Sequence, residues 1–267
     1  MATLDKSDLP PLSVGDVEAL LSTSPEARNS VIVGGQALNI WAVKYKLRSV
    51  GVMISEDVDF VGSAKAATQA GVEWGAETRL PEFDNATPNT AVLILDFAGG
   101  KRGIDFLSGV LGVDTDALKS SAMTIRFGVN EELQIKVMHP LHCMISQITN
   151  AYDSKLNRRA DPKNGEWVAE RARISVQVLN HNFNDYLTQG KVVPAKRMAT
   201  KVADFGTKAP ALAAYFQDKI DVLEAVPENH PAWKEKFEKT VYMPLKKRLI
   251  QKRKIYAQRK GLEYDEV

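Results

Sequence analysis

The hydrophobic rhythm of the chain changes near position 138. Before it, short apolar runs of strand length alternate with stretches whose apolar residues recur every three or four positions. After it, almost only helical spacing remains. Val31-Ile32-Val33, following Ser30, is a β-branched run that predicts a buried strand, closed by Gly34-Gly35. Leu38, Trp41, Ala42 and Tyr45 then predict a helix over 36–47, with Trp41 and Tyr45 as core residues. Residues 50–61 read as a second strand interrupted by acids, and Ser63 as the cap of a helix reaching Ala70. The runs 90–97 and 103–110, joined by a turn at 98–101, predict a hairpin. Two edge strands are expected at 123–127 and 133–137. Upstream, Ser13 with Asp16 three residues later marks the start of a helix through Val17, Leu20 and Leu21. Beyond His139, helices are expected over 141–155, 166–187, 209–223 and 231–260, with Pro140 at the first helical position of the earliest one. The prediction is an α+β chain: a mixed sheet with flanking helices in residues 1–138, then a helical C-terminal domain in 139–267.

Composition narrows the partners more than the fold. Hydrophobic residues make up 44% and charged residues 25% of the 267, as in globular domains, which excludes a mainly disordered chain. With 35 Lys and Arg against 33 Asp and Glu, the chain is no polycation, so any nucleic-acid affinity must come from a local cluster. The single cysteine, Cys143, allows no internal disulfide and suits a reducing cytoplasm. No apolar run approaches the roughly 20 residues of a membrane helix, and the N-terminus lacks the apolar core of a signal peptide. The expectation is a cytoplasmic protein with no membrane partner.

Candidate chemistry concentrates in Ser55-Glu56-Asp57-Val58-Asp59-Phe60. Residues two apart on a strand share a face, so Asp57 and Asp59 would present adjacent carboxylates with Val58 and Phe60 packed behind. Such a pair is stable when a cation lies between its members, and hard oxygen ligands suit Mg²⁺. A third carboxylate stands on an apolar strand, Ile104-Asp105-Phe106-Leu107, with Asp96 as its less favoured competitor near the turn. The strand–Gly34-Gly35–helix turn would let backbone amides approach a phosphate at a helix N-terminus.

These elements together, Gly34-Gly35-Gln36-Ala37-Leu38-Asn39, then Ser55-Glu56-Asp57-Val58-Asp59-Phe60, then Ile104-Asp105-Phe106-Leu107, resemble the polymerase-beta-type nucleotidyltransferase superfamily. The nearest branch is that of the abortive-infection nucleotidyltransferase toxins and their bacterial relatives. The resemblance covers residues 30–145 and implies a nucleotidyltransferase-type sheet. It implies that Asp57, Asp59 and Asp105 bind metal, two Mg²⁺ ions with Mn²⁺ as an alternative, and that Asp105 helps activate the acceptor hydroxyl. It also implies that Gly34 and Gly35 cradle the triphosphate of an NTP, with Ser55 standing where that branch often has Ser or Thr. By the same resemblance the activity is transfer of NMP to an acceptor hydroxyl on RNA or tRNA, a protein or a small molecule. A role as the toxin of a toxin–antitoxin or phage-defence pair, with an antitoxin protein as partner, is the further implication. Three departures stand out. The stretch from Gly35 to Asp57 is long, Gly35 offers no hydroxyl, and Gln147 occupies the place of a helical Lys, for which Lys155 would substitute. A catalytically inactive protein of this fold, binding RNA or a partner, is the alternative.

His139, His142 and Cys143 suggest zinc only weakly, since no second pair of ligands lies near in sequence. The run 246–260 carries eight basic residues in fifteen. Lys246, Lys247, Arg248, Lys252, Arg253 and Lys254 are its candidate phosphate contacts, and Tyr256 could stack a base. Arg158, Arg159, Lys163, Arg171 and Arg173 form a second, weaker cluster.

Overall fold

The computed structural model describes residues 12–47, 57–81, 88–97, 99–128, 131–156, 158–161, 164–233 and 241–264. The chain divides into two compact units, 1–146 and 147–267. The expected division at 138/139 lies eight residues earlier; the observed one falls inside a helix.

The first unit is built on a seven-stranded mixed sheet. Its strands are β1 (Val31–Val33), β2 (Asp59–Val61), β3 (Glu77–Arg79), β4 (Asn89–Phe97), β5 (Gly100–Leu107), β6 (Met123–Phe127) and β7 (Leu133–Val137). Their order is β3-β4-β5-β2-β1-β7-β6. β1 pairs antiparallel with β2 and parallel with β7, and β2 pairs parallel with β5. β1 is an inner strand, buried at all three positions, as its β-branched side chains suit. β7 is therefore an inner strand, not an edge; the edge on that side is β6, which pairs with it antiparallel. Ile135 and Val137 are fully buried, and the Trp41 indole N–H donates to the Met138 carbonyl at 2.8 Å just past β7. The β4–β5 hairpin is tighter than expected. Phe97 pairs with Gly100, so the return strand starts three residues before 103 and ends at Leu107.

Helices α1 (Val14–Ser22), α2 (Pro25–Asn29), α3 (Gly34–Lys44), α4 (Ala64–Trp74), α5 (Thr115–Ser121) and the first half of α6 (Pro140–Tyr152) complete this unit. Ser13 and Asp16 form a full capping box at α1. Ser63 caps α4, which runs past Ala70 to the left-handed Gly75. α3 buries Leu38, Trp41 and Ala42, and Trp41 stacks on Tyr45 with centroids 6.0 Å apart. α2 and β3, of five and three residues, are too short to leave a periodic signal.

The second unit is helical. After the end of α6 it contains α7 (Gly165–Thr188), α8 (Val192–Gly206), α9 (Ala209–Asp218) and α10 (Met243–Lys260), with short 3₁₀ turns at 158–160 and 222–225. α8 was not anticipated. The helix expected over 209–223 stops at Asp218, because Lys219 turns into the left-handed region (φ 57°) and Asp221 caps a separate turn. Of the span expected over 231–260, residues 234–240 lie outside the described ones and α10 begins at Met243. α10 buries Leu249, Arg253 and Ala257, four residues apart, on one stripe.

Candidate functional site

The site grows from the point where β1 hands over to α3. Gly34 opens the helix with φ +66°, a conformation that side chains strain to adopt. A Cβ there would lie 2.6 Å from Oδ2 of Asp59. The missing side chain is thus what lets the Asp59 carboxylate lie against the β1–α3 turn. Val33, the N-cap, offers no side-chain acceptor, and no acidic residue stands in the first turn of α3. The positive end of that helix dipole therefore faces the site without an acidic neighbour on its own helix.

The register brings Asp59 and Asp105 together by strand, whereas Asp57 lies in a bend before β2: of the strand expected over 50–61, residues 50–56 lie outside the described ones and only 59–61 form the strand. Asp59 opens β2 and pairs with Val33, while Asp57 sits two residues earlier, half-buried. In the parallel β2–β5 pair, Phe60 is level with Phe106, so Asp105 is level with Asp59 and shares its face. Phe60 and Phe106 stack behind them at 5.1 Å and anchor both strands in the core. Asp96 instead pairs with Lys101 near the hairpin end and is exposed.

Sequence reasoning missed two polar side chains here. Asn89, at the start of β4, donates from Nδ2 to Oδ1 of Asp105 at 3.4 Å. The Asp59 carboxylate lies toward β1 and the Asp105 carboxylate toward Asn89 of β4, on opposite neighbours. Among the described residues, no group of three His, Cys, Asp or Glu side chains is placed to hold a metal ion. The donors are nonetheless hard oxygens of the kind Mg²⁺ takes, and Mg²⁺ needs only one or two carboxylates beside substrate phosphates. The second is Gln36 in the first turn of α3, 1% exposed, whose Oε1 is buried without a partner. Its signal was present in the sequence: a polar residue four before Ile40, on the helix's buried side. Asn89 carried none, since only the register brings it to Asp105.

The remaining candidates scatter. Ser55 lies outside the described residues. Gln147 is buried in α6, and Lys155 is exposed in the turn after it; both belong to the second unit. His139 accepts from the Leu141 amide, His142 Nδ1 meets the Ser121 hydroxyl at 3.2 Å, and the Cys143 thiol is pushed up by full burial. These groups serve the fold around the start of α6.

The basic residues sort into structural and exposed. Arg253, expected among the candidate phosphate contacts of 246–254, is instead part of the buried face of α10. It is buried, donates to Asp221 at 2.6 Å and stacks over the Tyr215 ring at 3.7 Å. Arg248 pairs with Asp204, while Lys247 and Lys252 are exposed. In the second cluster, Arg159 is clamped between Asp218 and Glu166, and Arg173 pairs with Glu170. Lys163 lies outside the described residues.

Compared with protein-family models, curated proteins and solved structures, the chain gives no significant match. Among the described residues no helix is long and apolar enough to cross a membrane.

Proposed function

We propose that the protein is a Mg²⁺-dependent nucleotidyltransferase that moves NMP from an NTP to an acceptor hydroxyl of RNA, protein or a small molecule. The observation that carries this reading is the level register of Asp59 and Asp105 beside the side-chain-free turn at Gly34. Asp57 and Asp59 would hold the metal, with Asp105 completing the set. Mg²⁺ held by these carboxylates would supply neutralisation of the triphosphate charge and of the charge that develops during displacement. Gly34 and Gly35 let a phosphate approach the N-terminus of α3 closely. Asp105, oriented by Asn89, takes the proton from the acceptor hydroxyl. That oxygen bonds to the α-phosphorus as the bond to the bridging oxygen of pyrophosphate breaks. Positioning and charge neutralisation supply the rate, as in phosphoryl transfer generally.

The test is transfer of label from each α-labelled NTP in Mg²⁺, with total RNA and cell lysate as acceptors. Wild type is expected to label one acceptor class, and Asp57→Ala to lose that label while keeping its far-UV circular dichroism. Turnover in Asp57→Ala equal to wild type would remove the metal-site assignment.

A second reading is a non-catalytic binding protein on the same scaffold. It is favoured by Gln147 at the expected Lys. Absence of any Mg²⁺–NTP-dependent rise in melting temperature would favour it.

A further inference from the structure

Charge is unevenly shared along the chain. In the second unit, α8 and α10 together carry eleven Lys and Arg against one carboxylate, Asp204. That is a net +10 on two helices of a chain whose net charge is +2, so the rest of the chain is acidic. The two helices pack on each other at Gly206 of α8, where a Cβ would come within 3.2 Å of Leu249 of α10. Beside that contact the Arg248–Asp204 ion pair joins their outward faces.

Helical spacing gathers cations on those faces. Arg197, Lys201 and Asp204 stand four and three residues apart on α8, and Arg248, Lys252 and Arg259 four and seven apart on α10. Arg197, Lys201, Lys252 and Arg259 are exposed, and none forms an ion pair with a described residue. The single carboxylate of the face, Asp204, is already matched by Arg248. The other acids beside α10, Asp221, Glu224 and Glu228, line a cavity on the side of its buried Arg253 and leave the outward face uncompensated. Like charges held this close repel one another, and a polyanion relieves the repulsion.

Two observations narrow the polyanion. Tyr256, the candidate for stacking a base, is instead stacked on Phe216 with centroids 5.4 Å apart, and the one ring on α8, Phe205, is buried. A face without a stacking platform suits a duplex, whose bases are paired inside, and not a single strand. Two packed helices also make a broad face. It suits the wide, shallow minor groove of A-form RNA with its flanking phosphates, whereas the major groove of B-DNA admits one helix.

We propose that the outward face of α8 and α10 binds double-helical RNA through its phosphate backbone, without regard to base sequence. The inference goes beyond the nucleotidyltransferase reading and does not depend on it, since it concerns binding by residues of the second unit.

Fluorescence polarisation of the full chain tests it, in EDTA so that no metal-dependent nucleotide site contributes. The probes are an RNA duplex of about 20 base pairs, the same sequence as a DNA duplex and as single-stranded RNA, and phosphatidylserine vesicles as competitor. The RNA duplex is expected to bind most tightly, its log affinity falling against log salt with a slope of roughly −4, for about four phosphate contacts. Arg197→Gln with Lys201→Gln, and separately Lys252→Gln with Arg259→Gln, should each weaken it about tenfold and make the slope shallower by about 2. Lys65→Gln with Lys119→Gln removes the same charge from exposed positions of the first unit and should leave binding unchanged. All six side chains are exposed, so the melting temperatures should match wild type. No binding of the RNA duplex at about 50 mM salt, DNA or single-stranded RNA bound as tightly, displacement by the vesicles, or equal losses from the first-unit pair would each overturn the proposal.

Discussion

Single residues set the chemistry of both units. Gly34 is required twice over, by φ +66° and by the 2.6 Å approach of Asp59 to where a Cβ would stand. Gly34→Ala should therefore cost about 1–2 kcal/mol in urea unfolding and displace the Asp59 carboxylate, reducing nucleotide transfer more than stability. Asn89→Ala should lower kcat with little change in the KM for NTP, because Asn89 hydrogen-bonds Asp105, the residue proposed to take the acceptor's proton. Equal loss in KM would assign Asn89 to nucleotide binding instead. In the second unit, Asp218 accepts from Tyr152 at 2.7 Å and from Arg159 at 2.8 and 2.9 Å. The Arg159 guanidinium holds its carboxyl below the ordinary 3.8 against the opposing effect of burial. The folded pKa being the lower one, the ion pair's stabilisation is fully present above pH 3.8 and is lost as pH falls through the folded value. Asp218→Asn should cost about 1–3 kcal/mol at pH 7, and the difference from wild type should shrink below pH 4 in urea titrations. An unchanged difference at pH 3 would show that the cost is shape rather than charge.

At the scale of elements, α10 shows how far a helix's composition can mislead. Its sequence is dominated by cations, yet its inner stripe is Leu249, Arg253 and Ala257. Leu249 is 1% exposed and packs against Gly206, the last residue of α8, where a Cβ would come within 3.2 Å of it. Leu249→Ala should cost about 2–4 kcal/mol and Gly206→Ala should also destabilise, both read as lowered urea midpoints. Removing the exposed Arg248–Asp204 pair should cost less than about 1 kcal/mol. The same logic explains α9 and the 3₁₀ turn after it. Their apolar spacing reads as one continuous helix over 209–223, but a left-handed Lys219 and the Asp221 cap divide it, which brings Asp221 to Arg253. Spacing reports which face is buried; it does not report where a backbone turns on one residue.

At the scale of the whole molecule, the proposed activity requires one metal-dependent outcome. Mg²⁺ with the correct NTP should raise the melting temperature, EDTA should abolish both that rise and transfer, and Asp57→Ala should abolish both as well. The sequence by itself determined the elements whose signals are local. A β-branched run marked β1, a strongly apolar run marked β4, and the Ser13–Asp16 box and Ser63 marked the starts of α1 and α4. It also determined the change to helical structure after the sheet. Only the tertiary structure decided which strands are neighbours, because pairing joins residues far apart in the chain, and no local pattern encodes partner or register. That register made β7 an inner strand, set Asp105 rather than Asp96 level with Asp59, and delivered Asn89 to Asp105. Tertiary packing likewise decided that Arg253 is buried while Lys247 and Lys252 face water, since a side chain's charge is local and its burial depends on what folds over it.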